Sequence, residues 1–272
     1  MSRTIRVTTY FLPVLITVSL LLGVSAAAAR TPVNPEEATG WTEKTLSKAN
    51  KYMISAANPH ASEAGLGILD AGGSAVDSAI AAQLVLSLVE PQSSGLGGGG
   101  FMVVFEAANQ RLRTYDARET APQDADNRYF RVDGEVLPFW DAVNSGLSVG
   151  APGLLRGLEK MHADGGKLPW ARLFEPAIRL AREGFAVSPR LNGLLQRSEK
   201  LRESKTARPY FYDENGNPRP VGYVLKNPAL ADVLEQVSRQ GADAFYESAI
   251  AHDIVSAVRS HPTPGALSLP DL

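Results

Sequence analysis

Five glycines fall among the six residues 95–100, and the elements on either side of them limit what the chain can build. Upstream, Val76, Ile80, Leu84 and Leu88 recur every four residues, with Ala79, Ala81 and Ala82 between them. That spacing is one face of a helix, and the small side chains suit close helix packing. Residues 77–89 therefore read as a helix, and Glu90 before Pro91 disfavours its continuation. Downstream, Phe101, Met102, Val103, Val104 and Phe105 read as a buried strand; residues 107–110 make a turn and 111–117 a returning strand, together a β-hairpin. Gly95, Gly97 and Gly100 match G-x-G-x-x-G. A dinucleotide site, however, needs a strand before the glycines and a helix after them, so that the helix N-terminus meets the pyrophosphate. Here the order is reversed, and no Lys-Ser or Lys-Thr follows as in a P-loop. The run instead marks backbone that passes close to other backbone or adopts positive φ.

Most of the remaining pattern is helical. Residues 62–70 read as a helix with Ser62 as its N-cap and Gly72 and Gly73 past its end. Further helices are expected over 154–162, 176–182, 228–239 and 247–260. Pro176 suits a first helical turn, and Gly184 and Gly241 follow their helices as C-terminal stops. Residues 139–149 show little periodicity and read as a loop.

The N-terminus has the parts of a signal peptide over residues 1–29. Arg3 and Arg6 form a basic start, residues 10–24 are apolar, and Ser25 with Ala26 to Ala29 offers a small-residue cleavage site. Pro13 and Thr17 interrupt an apolar stretch shorter than the roughly 20 residues a membrane span needs. Export to the periplasm or the medium is expected, with no stable membrane span after cleavage. Residues 30–51, polar and containing Pro32 and Pro35, read as an extended lead-in to one domain over 52–272.

Apolar residues make up 44% of the chain, enough to bury a core. A net charge of −2 offers nothing to attract nucleic acid. With no cysteine, thiol catalysis and thiolate metal sites are excluded. His60, His162, His252 and His261 lack metal-ligand spacing, so surface or capping positions are expected for all four, with no metal and no cofactor. Ser93 and Ser94 adjoin the glycines without a G-x-S-x-G elbow. Arg118, in Asp116-Ala117-Arg118-Glu119-Thr120-Ala121-Pro122, stands at the end of the second hairpin strand. From there a guanidinium can grip a ligand carboxylate through two bonds, or can pair with Asp116 or Glu119 on the surface.

Several stretches taken together carry a family resemblance. Asn58-Pro59-His60-Ala61-Ser62 leads into Gly72-Gly73 and Ala75-Val76-Asp77. Val89-Glu90-Pro91, Ser93-Ser94-Gly95 and Arg118-Glu119-Thr120-Ala121-Pro122 follow. Further along come Pro152-Gly153, Gly166-Lys167-Leu168-Pro169-Trp170, Ala181-Arg182-Glu183-Gly184-Phe185 and Asn227-Pro228-Ala229-Leu230. From residue 58 to the last residue the chain resembles the N-terminal part of the gamma-glutamyltranspeptidases, or glutathione hydrolases.

The resemblance implies an α/β (α+β) fold, here a helix-rich part of an N-terminal-nucleophile hydrolase αββα sandwich. It implies a precursor that cuts itself into two subunits and acts on gamma-glutamyl substrates such as glutathione through an N-terminal threonine. Arg118 matches the arginine that holds the substrate α-carboxylate, which makes it a binding residue and leaves no catalytic residue assigned in this chain. The family's Thr-Thr-rich nucleophile stretch has no counterpart here: Thr42, Thr45, Thr114, Thr120, Thr206 and Thr263 all lie in other contexts. The chain is thus expected to be an incomplete large subunit, inactive alone, either needing a partner that supplies the small subunit or surviving as an inactive relic. A cephalosporin-acylase-like activity is a third expectation, since that branch shares the scaffold.

Overall fold

The structure, a computed structural model, describes residues 45–272. The expected signal peptide at 1–29 and the lead-in as far as residue 44 lie outside the described residues; 45–51 forms neither helix nor strand.

The first helix, α1, spans Pro59–Asp70 and starts three residues before its expected position. Asn58, not Ser62, is the cap: its side chain accepts from the His60 amide at 3.1 Å, and Pro59 has the φ a first turn needs. Ser62 lies inside the helix and accepts from the Ala56 amide at 3.2 Å. Gly72, at φ +88°, turns the chain after the helix. Helix α2, Ala75–Val89, begins two residues before the expected start. Ser74 and Asp77 form a reciprocal capping box, with bonds of 3.1 and 2.8 Å. Helix α2 is the centre of the molecule: Ile80, Ala81, Leu84 and Val85 are fully buried, and α1, α4 and α5 pack around it. Removing the Leu84 side chain beyond Cβ would cost about 2–5 kcal/mol.

The hairpin forms as the sequence indicates, with β1 Gly100–Glu106 and β2 Arg111–Ala117 paired antiparallel from Gly100↔Ala117 to Glu106↔Arg111. Strand β1 is not buried on both faces, however. Met102, Val104 and Tyr115 pack towards the helices, whereas Phe101, Val103, Phe105 and Leu112 are 58–69% exposed. Opposite faces of one strand alternate, so an unbroken apolar run can leave one face bare when no second layer covers it. Two short antiparallel pairs complete the sheets: β3 Arg131–Val132 with β4 Glu135–Val136, and β5 Phe185–Ala186 with β6 Val224–Leu225. Residues 139–149, expected as a loop, hold a short helix α3, Phe139–Val143, and a 3-10 turn, Gly146–Ser148. No residue of α3 is buried, so it carries no apolar period to read.

Helix α4, Leu154–Gly165, lies against β2 and α2. Helix α5, Trp170–Glu183, begins six residues before the expected start, so Pro176 is interior rather than in the first turn. Packing explains the difference: Trp170 stacks edge-on against Phe174 at 4.8 Å and donates its indole N–H to the Val237 carbonyl at 3.2 Å. Those contacts hold a first turn that a proline rule alone would not place. Short helices α6 Pro189–Arg197, α7 Glu199–Glu203 and α8 Arg208–Phe211 follow. Helix α9, Pro228–Gln240, is capped by Asn227 and packs on α5; α10 Asp243–Tyr246 and α11 Ala249–Arg259, capped by Ser248, end the helical part. The result is a helix-rich α/β structure with its helices on one face of the hairpin.

Candidate substrate-binding site

Arg118 is the first residue beyond β2, and the ladder that ends at Gly100↔Ala117 fixes where it stands. The Asp116 side chain accepts from the Arg118 amide at 3.0 Å, closing a tight turn of the backbone. Two residues on, Thr120 and Ala151 exchange backbone bonds of 3.2 and 2.8 Å. The backbone of this arginine is therefore tied on both sides, while its side chain is 58% exposed. The guanidinium lies 3.1 Å from the Glu119 carboxylate and makes an ion pair with it.

Arg118 stands between two cavities. One, of about 560 Å³, runs along α4 and is lined by Tyr115, Asp116, Gly153, Arg156, Gly157 and Lys160 among others. Its other cations are engaged. Arg156 meets Glu159 and Asp243 at 2.9 and 2.8 Å; burial works against its charge, but those two bonds raise its pKa overall. Lys160 holds Asp164 at 2.6 Å, and that bond keeps the Asp164 carboxyl below its usual range. The second cavity, of about 620 Å³, is lined by Gly97, residues 118–122, Tyr129, Phe130, Leu147 and Val149. Arg118 is common to both.

The glycine run reaches this site through its backbone. The Gly98 carbonyl accepts from the Gly153 and Leu154 amides, each at 3.1 Å, and so caps the start of α4. None of Gly95, Gly97, Gly98, Gly99 or Gly100 has positive φ, and close approach of backbone holds at Gly99 alone: Gly95 and Gly97 have open space where a Cβ would stand. Sequence reasoning missed two buried acids at the two ends of α2. Glu90, 4% exposed, accepts from Asn58 at 2.8 Å, from Gln92 and from Arg190, joining three segments far apart in the chain. Asp77, fully buried, binds the Lys167 and Leu168 amides at 2.9 and 3.1 Å besides capping α2. Polar residues at helix ends were the available signal; Lys167, 90 residues from Asp77, and Arg190, 100 residues from Glu90, left none.

The histidines do not converge. His60 is 3.8 Å from Glu63, and His261 accepts from the Thr263 amide at 3.0 Å. His162 departs from the expected surface position: it is largely buried against Trp170 and bonds the Leu168 carbonyl at 2.8 Å. Among the described residues no group of three or more His, Asp or Glu side chains could hold a metal ion.

The family profile described as gamma-glutamyltranspeptidase matches residues 61–272. Scoloptoxin SSD14 of Scolopendra dehaani is 40% identical over 73% of this chain and 34% of its own length. The glutathione hydrolase proenzyme of Bacillus subtilis is 36% identical over 76% of the chain and 35% of its own length. The crystal structure of Helicobacter pylori gamma-glutamyltranspeptidase superposes with a TM-score of 0.78 at 30% identity, covering 84% of this chain and 64% of that one. The chain spans about a third of the length of these curated relatives. With a profile that matches most of its length, the chain belongs to the gamma-glutamyltranspeptidase family.

Proposed function

We propose that this chain is the N-terminal part of a gamma-glutamyltransferase and glutathione hydrolase, in which Arg118 holds the α-carboxylate of the gamma-glutamyl donor. The observation that carries the reading is the position of Arg118, an exposed guanidinium on a fixed backbone at the border of two cavities. An arginine fork suits a planar carboxylate because it offers two parallel N–H donors. Glu119 balances its charge while the site is empty, and a substrate carboxylate takes the donors that face outward.

In this reading the threonine nucleophile, its α-amino base and the oxyanion donors come from a part of the protein outside this chain. That threonine attacks the gamma-glutamyl carbonyl, the amine leaves with a proton, and the acyl-enzyme passes to water or to an amino acid. The bare face of Phe101, Val103 and Phe105 is where that part docks, since an unpaired hairpin with an apolar face needs a cover. Residues 1–29 direct the precursor out of the cytoplasm, a reading supported by Arg3, Arg6 and the apolar residues 10–24. Among the described residues no helix is long and apolar enough to cross a membrane.

Two measurements test this reading. The chain alone will not release the chromophore from a gamma-glutamyl anilide. In the assembled enzyme Arg118→Lys will raise the donor KM by about tenfold or more while self-cleavage proceeds, because lysine keeps the charge and loses the fork. An unchanged KM removes Arg118 from the site.

A further inference from the structure

The glycines nearest Arg118 have a role that rests on its reading as the carboxylate anchor. A Cβ on Gly99 would lie 2.4 Å from the Ala117 carbonyl oxygen, 2.8 Å from the Arg118 Cα and 2.8 Å from the Glu119 amide nitrogen. A Cβ on Gly153 would lie 2.5 Å from the same Ala117 oxygen and 2.7 Å from the Arg118 carbonyl oxygen. Both sets of contacts are with backbone, which cannot swing aside as a side chain can. Two stretches of chain thus press on the turn that carries Arg118, and they are joined to each other, since the Gly98 carbonyl accepts from the Gly153 and Leu154 amides. Neither glycine has positive φ, so what each contributes is the absence of a side chain.

We propose that Gly99 and Gly153 are positioning residues for Arg118. By letting two backbones close on residues 117–119, they fix the base of a long, exposed side chain before any carboxylate arrives. A guanidinium with a fixed origin has less freedom to lose on binding, and it presents its fork to one place. The role is distinct from general packing because it acts only through the arginine.

That distinction sets the test. In the assembled enzyme, Gly153→Ala should raise KM about tenfold for a gamma-glutamyl anilide and change kcat less than twofold. For the 4-aminobutyryl anilide, which lacks the α-carboxylate, kcat/KM should not change. Combined with Arg118→Lys, Gly153→Ala should add no further loss, because both remove one interaction. Gly95→Ala is the control: its Cβ meets nothing within 4 Å, and it should leave both donors as they were. Equal losses for the two donors, or full additivity with Arg118→Lys, would overturn the positioning role. An Arg118→Lys variant with unchanged donor KM would instead show that the anchor itself is wrong, and the role of the glycines would fall with it. Should Gly153→Ala fail to fold, backbone ¹⁵N relaxation on the unaltered assembled enzyme decides. Residues 117–120 are expected to be as rigid as α4, and greater mobility there overturns the proposal.

Discussion

The amide of Gln123 donates to the carboxylate of Asp271 at 2.9 Å, tying the loop that follows Arg118 to a residue 148 positions later. The same carboxylate accepts from the Ser268 hydroxyl at 2.6 Å and from the Ser268 amide at 2.8 Å. The Ser268 hydroxyl bond, followed by the Gln123 amide bond, holds the Asp271 carboxyl below its ordinary value of 3.8. A depressed folded value means the tie contributes fully above the unfolded value and is lost as pH falls through the folded one. The Gln123 and Ser268 amide NMR signals should therefore stay constant from neutral pH down to about 4 and move together below it. Movement centred near neutral pH would assign the tie to another group.

Asp77 should be the most sensitive polar position in the described part of the chain. One of its oxygens accepts from the backbone amides of Ser74, Lys167 and Leu168, and the residue is fully buried. Asp77→Ala strips these donors of their acceptor and removes a helix cap, at a cost of about 2–4 kcal/mol. Asp77→Asn keeps one carbonyl oxygen and should lose less. Urea denaturation of the three proteins gives the order directly; an alanine variant within experimental error of the parent would show that water replaces the carboxylate.

The bare hairpin face should make the isolated chain bind a hydrophobic dye and associate with rising concentration. Helix α2 is buried on nearly every side, and the exposed apolar stripe is Phe101, Val103, Phe105 and Leu112. Val103→Thr with Phe105→Thr should lower both dye binding and association, with little change in the urea midpoint, because these side chains lose no native contact with the helices. Dye binding that survives the double substitution would place the sticky surface elsewhere, for instance at Phe139 and Trp140, which are 41% and 60% exposed.

How far the sequence could be read depends on how local the cause was. The hairpin was legible because apolar strands joined by a short turn determine each other within 18 residues. The ends of α9 and α2 came within two residues of their true places because caps and glycine stops act locally. Helix α5 was misplaced because its first turn is held by Trp170, Phe174 and a carbonyl on α9 rather than by its own cap. Arg118 was singled out by its place at the strand end and the resemblance of its neighbours, and the structure sets it at the end of β2. Gly153, by contrast, gave no sign of its contact with the Ala117 carbonyl, since 36 residues separate them and a glycine before a helix has many other uses.

The seven-rung register between β1 and β2 places the turn at residues 107–110 and the arginine at opposite ends of one ladder, separated by about 20 Å of strand. Length can change freely at the first of these ends and not at all along the rungs. A single residue inserted in β2 would rotate every later side chain to the other face and carry Arg118 away from both cavities. A peptide tag or fluorophore loop spliced between Ala108 and Asn109, where every turn residue is exposed, would leave that spacing intact. The hairpin thus offers an attachment point for reporters whose signal can be followed without disturbing the arginine at its far end.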